Sequence, residues 1–248
     1  MRIAYDNYID TASALTALTE TAGYAVTNVQ EQRLSQIYKS TSASAQTITI
    51  DLGSAKSINT IALMNHNFTT SASVIMSMNS SDSWPGATSQ TITYNSGMML
   101  KFFTAETYQF LQFQIDDPTN TDGFISIGRL WAGEYISIDP SSLIDFTVSK
   151  RRSDNVAHGR YRQKFASEGI GWREFKLDFP PSNETMVEKI NTLYDTVGNH
   201  SSFIFCNFDT IRDYVLVEPC YVSIDNELEF NHKENMKFVY TLMLSEEK

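Results

Sequence analysis

With 248 residues, the chain exceeds the usual size of one domain and suits two of roughly 100–150 residues each, and 42% hydrophobic residues suffice for a core in both. Its 15 Phe, 12 Tyr and 3 Trp exclude a disordered polypeptide. A formal charge of −10, from 19 Lys and Arg against 29 Asp and Glu, argues against a protein that grips nucleic acid or an anionic bilayer by bulk electrostatics.

The first twenty residues are acidic and Thr-rich where a signal peptide needs an unbroken apolar run, so no export by that route is expected. No window approaches the roughly 18 consecutive apolar residues of a spanning helix, so no membrane insertion is expected. From Thr47-Ile48-Thr49-Ile50 to Thr91-Ile92-Thr93-Tyr94, apolar residues alternate with hydroxyl residues, the pattern of half-buried antiparallel strands. Ile58–Met64, Ser73–Met78, Met98–Phe103, Tyr108–Ile115 and Ile125–Ala132 read as further strands. Turn-rich pieces such as Asn79-Ser80-Ser81-Asp82-Ser83 separate them. Short strands at this spacing predict a sandwich or jelly roll.

Asp139-Pro140-Ser141-Ser142 supplies a turn, and charge density rises sharply beyond it, which places a domain boundary between 1–138 and 139–248. The second half opens with a strand over Leu143–Ser149. A basic hairpin over Lys150–Lys164 follows, then a strand over Trp172–Phe179. Met186, Val187, Ile190, Leu193, Tyr194 and Val197 keep helical spacing, predicting one amphipathic helix over 183–197, with Ser182 or Asn183 to cap it and Gly198 to stop it. Phe203–Phe208, Tyr214–Glu218, Tyr221–Ile224 and Phe238–Leu244 complete the strands, so the half reads as a small β-barrel or sandwich with one packed helix.

Signs of catalysis are missing from the sequence. His66, His158, His200 and His232 are far apart in the chain, none in HExxH or HxH spacing, and GxSxG, GxxxxGK[ST] and GxGxxG are absent. Cys206 and Cys220 make neither a disulfide framework nor a zinc spacing, and read as small buried hydrophobes. No enzyme, metal or cofactor is expected. Asp116-Asp117 before Pro118 leaves a turn and an oxygen-rich cation site both open.

Two features suggest contact chemistry. Asn65-His66-Asn67, with Trp84 and Tyr94, offers the amides, imidazole and aromatics that suit a sugar, although an Asx turn with a packed His explains the same residues. Lys150, Arg151, Arg152, Arg160, Tyr161, Arg162 and Lys164 form a basic arm on an acidic molecule. It suits contact with an identical subunit, a solvated loop or, least of these, nucleic acid.

Ile48-Thr49-Ile50-Asp51-Leu52-Gly53, Ile58, Ile61-Ala62-Leu63, Asn65-His66-Asn67 and the closing Ile127-Gly128-Arg129-Leu130-Trp131-Ala132-Gly133 resemble the core of discoidin-like (coagulation factor 5/8 type C) sandwiches of tailed-phage structural proteins. Asn28-Val29, Arg33 and Tyr38-Lys39-Ser40 are similar to the element before that core, with Tyr38 and Lys39 where Trp and Arg stand in the family. Trp172 to Phe179, the helix, Phe203-Ile204-Phe205 and Asp209 resemble the tube-like β-barrel of distal tail and baseplate hub proteins. The resemblance implies a virion component assembled in the host cytoplasm. It further implies a ring, commonly a hexamer, that continues the tail tube and joins it to the hub or receptor-binding apparatus. Its partners would be itself, the tube and hub proteins and, through the discoidin-like domain, a host surface glycan.

Overall fold

The computed structural model describes residues 1–138, 143, 145–158, 160–182, 184–207, 218–233 and 237–247. The predicted strand at Tyr214–Glu218 (apart from its last residue), the turn at Asp139–Ser142, Asp209 and the cap residue Asn183 lie outside them. The chain divides into two compact units, one of Ala4–Tyr135 and one of Met1–Ile3 with Ile136–Lys248. The sequence reading draws its boundary three residues later and leaves Met1–Ile3 with the first half. By pairing, that short N-terminal strand belongs to the second.

The strands are β1 (Arg2–Ala4), β2 (Ala14–Ala17), β3 (Tyr38–Lys39), β4 (Gln46–His66), β5 (Ser73–Asn79), β6 (Thr88–Ile92), β7 (Met99–Asp116), β8 (Ser126–Gly133) and β9 (Ile136–Ser137). They continue as β10 (Asp145–Arg152), β11 (Asn155–His158), β12 (Lys164–Ser167), β13 (Gly171–Ser182), β14 (Phe203–Cys206), β15 (Cys220–Ile224), β16 (Asn231–Lys233) and β17 (Lys237–Glu246). One α-helix, α1, spans Glu184–Val197. Among the described residues the chain is mostly β with antiparallel sheets and one helix, as the alternation and the amphipathic stretch indicate.

In the first unit, β3-β8-β4-β7-β5-β6 lie side by side and β2 pairs with β4. The four strands expected at Thr47–Ile50, Ile58–Met64, Met98–Phe103 and Tyr108–Ile115 are two long ones. β4 and β7 stay paired from Gln46↔Ile115 to Leu63↔Met99, with register shifts between Asp51 and Lys56 and between Ile58 and Thr60. Leu52-Gly53 is therefore a bend within a strand and not a chain reversal. Gly53 takes a left-handed φ of 77° while the Asp51 carboxylate accepts its N–H at 2.8 Å. Alternation then sends Ile48, Ile50, Ile61 and Leu63 of β4, with Met76, Leu111, Phe113 and Leu130, into one core.

Strand β8 is buried along its whole length. Leu130 and Ala132 face that core, while Arg129 and Trp131 point the other way, beneath two 3-10 helices at Tyr8–Thr11 and Val26–Gln30. A methyl group at Gly128 would overlap the Leu34 carbonyl, and one at Gly133 the Asp6 carbonyl. The Ile127–Gly133 segment that carries the family resemblance is thus a packing signature.

In the second unit the order is β10-β13-β17-β15-β14-β1-β9, with β16 on β17, and the pair β11-β12 stands as a separate two-stranded sheet. Phe175↔Leu244 and Leu177↔Leu242 fill one face, and α1, through Ile190, Leu193 and Val197, packs in this unit against β17. Gly198, at φ 50°, closes the helix by donating its N–H to the Tyr194 carbonyl at 2.7 Å. The Ser182 hydroxyl donates to the Pro180 carbonyl at 2.8 Å. Cys206 and Cys220 are buried and are not joined in a disulfide. Because Cys220 is paired with Phe205, the adjacent Cys206 points to the opposite face of the sheet, and the two thiols do not face each other.

Candidate functional site

The predicted sugar-contact residues sit in the first unit. Asn65 ends β4 in a left-handed conformation, φ 50°, and its amide donates to the Leu34 carbonyl at 2.6 Å. Asn67 donates to the Phe124 carbonyl and the Asp122 carboxylate, both at 3.0 Å, and accepts the Ser126 N–H at 2.8 Å. Both amides are spent on tying loops, Asn65 the Leu34 loop to the end of β4 and Asn67 the segment 122–126 that leads into β8.

His66 lies between Phe68, stacked at 4.5 Å, and Tyr94, edge-on at 6.2 Å. Its Nδ1 accepts the Phe68 N–H at 3.2 Å, so the proton sits on Nε2, 3.0 Å from the Asn95 carbonyl that accepts it. Burial holds the imidazole pKa below its usual 6.5, partly opposed by the bond to Asn95. The unfolded chain therefore takes up this proton at a higher pH than the folded chain does. Stability from neutral His66 is complete above about pH 6.5 and is lost as pH falls through the lower folded value. We expect the melting temperature to drop between pH 7.5 and pH 5, with a visibly smaller drop in His66→Gln; equal slopes would remove His66 from the account.

Asn65, His66, Asn67 and Tyr94 are therefore brought together. Trp84 is not. It lies half-buried in the β5–β6 loop next to the Met78↔Thr88 pair, whereas Tyr94 follows the Val74↔Ile92 pair at the other end of that hairpin, about 15 Å of strand away. The five residues do not converge on one ligand. Locally the two amides tie distant loops, and the turn at Phe68 is closed by the ring of the packed His66 and not by an Asn side chain.

Asp117 is fully buried, and its carboxylate accepts the Thr69 N–H at 2.7 Å, the Thr69 hydroxyl at 2.5 Å and the Asn120 amide at 3.3 Å. Asp116 accepts the Ala45 N–H at 3.0 Å. Of the two readings of this acidic pair, the turn is the one built. Among the described residues no group of three His, Cys, Asp or Glu side chains could hold a metal ion.

One cluster escaped the sequence reading. The Lys39 ammonium lies 3.5 Å from the Phe124 ring centroid and 5.7 Å from that of Tyr24, a residue that is 40% exposed. These residues come from three separate loops or short strands, and no periodicity joins them. The only sequence clue is Lys39 standing where the resembling family has Arg.

The basic arm belongs to the second unit. Every described residue of 151–168 is exposed, including Val156, Tyr161 and Phe165, the last two at 83% and 60%. Its charges fall into two groups that the sequence did not separate. At the base, Arg151 pairs with Glu174 at 2.8 Å, and Arg152 with Asp154 at 3.0 Å and Glu168 at 2.7 Å. The Gly169 N–H and Arg152 hold the Asp154 carboxyl below its usual range. Toward the tip, Arg160, Arg162 and Lys164 have no carboxylate in ion-pair range among the described residues, and Tyr161 stands between the two arginines. Lys150, also exposed, lines a groove of about 310 Å³ with Trp172, Arg173 and Glu246. There Arg173 is already held by Glu246 at 2.7 Å.

No family model matches the chain, and no curated protein matches it. Solved structures similar to it include chitosan-binding module 1 of a chitosanase/glucanase from Paenibacillus sp. IK-5, at 19% identity and TM-score 0.43, covering 52% of this chain and 99% of the module. Also similar are a family 32 carbohydrate-binding module of Clostridium perfringens NanJ in complex with galactose (15%, TM-score 0.42, 55% and 100%) and the C. perfringens module CpGH89CBM32-5 with GalNAc-β-1,3-galactose (15%, TM-score 0.42, 52% and 100%).

Proposed function

We propose that this protein works by docking and not by bond-breaking, as a structural component of a long-tailed phage tail tip of the distal-tail or baseplate type. In this reading, copies join into a ring, a hexamer as in the resembling family, that continues the tail tube and connects it to the hub or receptor-binding apparatus. The observation that carries it is the arm. A two-stranded hairpin with exposed Val156, Tyr161 and Phe165 is marginal alone in water and gains stability from a neighbouring surface. The segments resembling tail proteins support the setting. Mass photometry of the full chain should show a closed oligomer, and labelling of intact particles should place it at the tail tip. A chain that stays monomeric at tens of micromolar and is absent from particles would overturn the reading, as would product release from host polysaccharide.

A second reading has its own observation. Tyr24, Lys39 and Phe124 offer an aromatic surface with a fixed ammonium, suited to the apolar face and hydroxyls of a sugar, so the first unit would serve as an adhesive module for a host surface glycan. On a glycan array, saturable binding of the full chain should fall at least about tenfold in Tyr24→Ala and Phe124→Ala, a loss of about 1.4 kcal/mol, and persist in Trp84→Ala. Binding that depends on Trp84 and not on Tyr24 would move the site.

A further inference from the structure

The second unit presents, on its main sheet, a face that answers the arm. Alternation along β13, β17 and β15 sends Phe175, Leu177, Leu242, Leu244 and Ile224 to the buried side and Glu174, Asp178, Met243, Ser245 and Ser223 to the other. Asp225 and Glu247 extend this open face. The Asp225 N–H donates to the Met243 carbonyl at 2.9 Å, and the Ser223 hydroxyl donates to Glu247 at 2.7 Å. Two cations on the face are already taken, Lys176 by Asp178 at 2.6 Å and Arg151 by Glu174. Asp225, Glu247 and the exposed Glu227 and Glu229 have no cation in ion-pair range among the described residues. Burial first, and then the neighbouring Glu174 and Glu247, push the Asp225 pKa up, opposed by a hydrogen bond from Ser245. At the centre of the face Met243 is 42% exposed.

The arm has the opposite character. Pairing of Ala157 with Phe165 and of Asn155 with Ser167 puts Phe165 on one face of the β11–β12 ribbon, where it lines a shallow groove. Arg160 and Arg162 stand toward the tip and Lys164 beside Phe165. Lys164 already lies in the field of the Asp154 carboxylate of its own copy, whereas Arg160 and Arg162 have no acid in ion-pair range among the described residues, so their carboxylate partner is left to a second copy.

Resting on the assembly reading above, we propose that the arm tip of one copy docks on the open β13–β17–β15 face of another. Arg160 and Arg162 meet Asp225, Glu227, Glu229 and Glu247, and Phe165 packs on the Met243 thioether. Opposed patches steer the encounter, and the aromatic-to-sulfur contact adds an apolar anchor at the centre. Donor and acceptor patches differ, so the contact can be passed on head-to-tail from copy to copy, which closes a ring when the rotation between copies allows it.

The test is a charge swap in the full chain, read by mass photometry, with melting curves to confirm that each variant folds. Arg160→Glu with Arg162→Glu is expected to weaken self-association at least about tenfold, the scale of one close charge pair across an interface. Asp225→Lys with Glu227→Lys should do the same. The chain carrying all four changes should recover association to within about threefold of the parent. Phe165→Ser, which leaves every charge in place, should weaken it too. A parent that does not self-associate overturns both this proposal and the assembly reading. A parent that associates, with arm variants impaired but the acidic-face variants unaffected and no recovery in the fourfold chain, overturns the acceptor alone. Association indifferent to either set overturns the arm as the contact.

Discussion

Replacing Arg129 with Ala is expected to lower the stability of the first unit by about 3 kcal/mol at pH 7, the lower end of the usual cost of removing one partner of a buried ion pair, because the Asp10 carboxylate left behind is 30% exposed. Arg129 is 1% exposed in the middle of β8 and donates to the Asp10 carboxylate at 2.7 Å and to the Gln30 carbonyl at 2.5 Å. It therefore pins both 3-10 helices, with Asn7 joining in by donating to Asp10 at 2.6 Å. Burial already pushes the Asp10 pKa up, and Arg129 is the main force holding it down. Without the guanidinium, Asp10 takes a proton at a higher pH still, and its penalty is present above that folded value and relieved below it. The deficit of Arg129→Ala should therefore shrink as the pH is lowered from 7 to 4. Urea unfolding of parent and variant at the two pH values measures this. A deficit below about 1 kcal/mol at pH 7, or one that grows on acidification, would show that the pair does not carry the load assigned to it.

The same residues show what the sequence could tell and what it could not. Alternation at Thr47–Ile50 and the spacing from Met186 to Val197 are local signals, since a period of 2 or 3.6 is written into consecutive residues. They placed β4 and α1. The continuity of β4 through Gly53 was hidden because a bend and a turn use the same residue types, and only pairing with β7, some sixty positions away, distinguishes them. The short strands β1, β3 and β9 have too few residues to show any period. At the sites the limit is again range. Asn65 and Asn67 read as sugar ligands or as an Asx turn, and their actual work as long-range loop ties shows only when Leu34, Phe124 and Ser126 appear beside them. The arm was visible as a run of cations, but its division into a paired base and an open tip depends on Glu168 and Glu174 folding back across the hairpin.

Asp117 should prove nearly as costly to replace as Arg129. Its carboxylate is fully buried just beyond β7, where both oxygens are occupied by donors from Thr69 and Asn120, while its own N–H donates to the Ala43 carbonyl at 3.0 Å. Hydrogen bonds to a charged group contribute roughly 1.5–3 kcal/mol each, and a buried donor left without an acceptor adds its desolvation cost. Asp117→Ala strands the Thr69 N–H and takes the charged acceptor from the Thr69 hydroxyl, which keeps only Ser71 Oγ at 2.9 Å and Thr119 Oγ1 at 3.3 Å, for an expected loss of about 3 kcal/mol. Asp117→Asn keeps the shape but turns an NH2 toward groups that are themselves donors, so the isostere should recover little, with a loss of about 2 kcal/mol. Asn120 also donates to the Asn67 carbonyl at 2.9 Å, and Asn67 ties Phe124 and Ser126, so the damage should spread through residues 66–72 and 117–126. Hydrogen exchange should show those two segments losing protection while β13 and β17 keep theirs. Full recovery by Asn would mean that shape and not charge holds the loops, and unchanged exchange at residues 66–72 would detach Asp117 from them altogether.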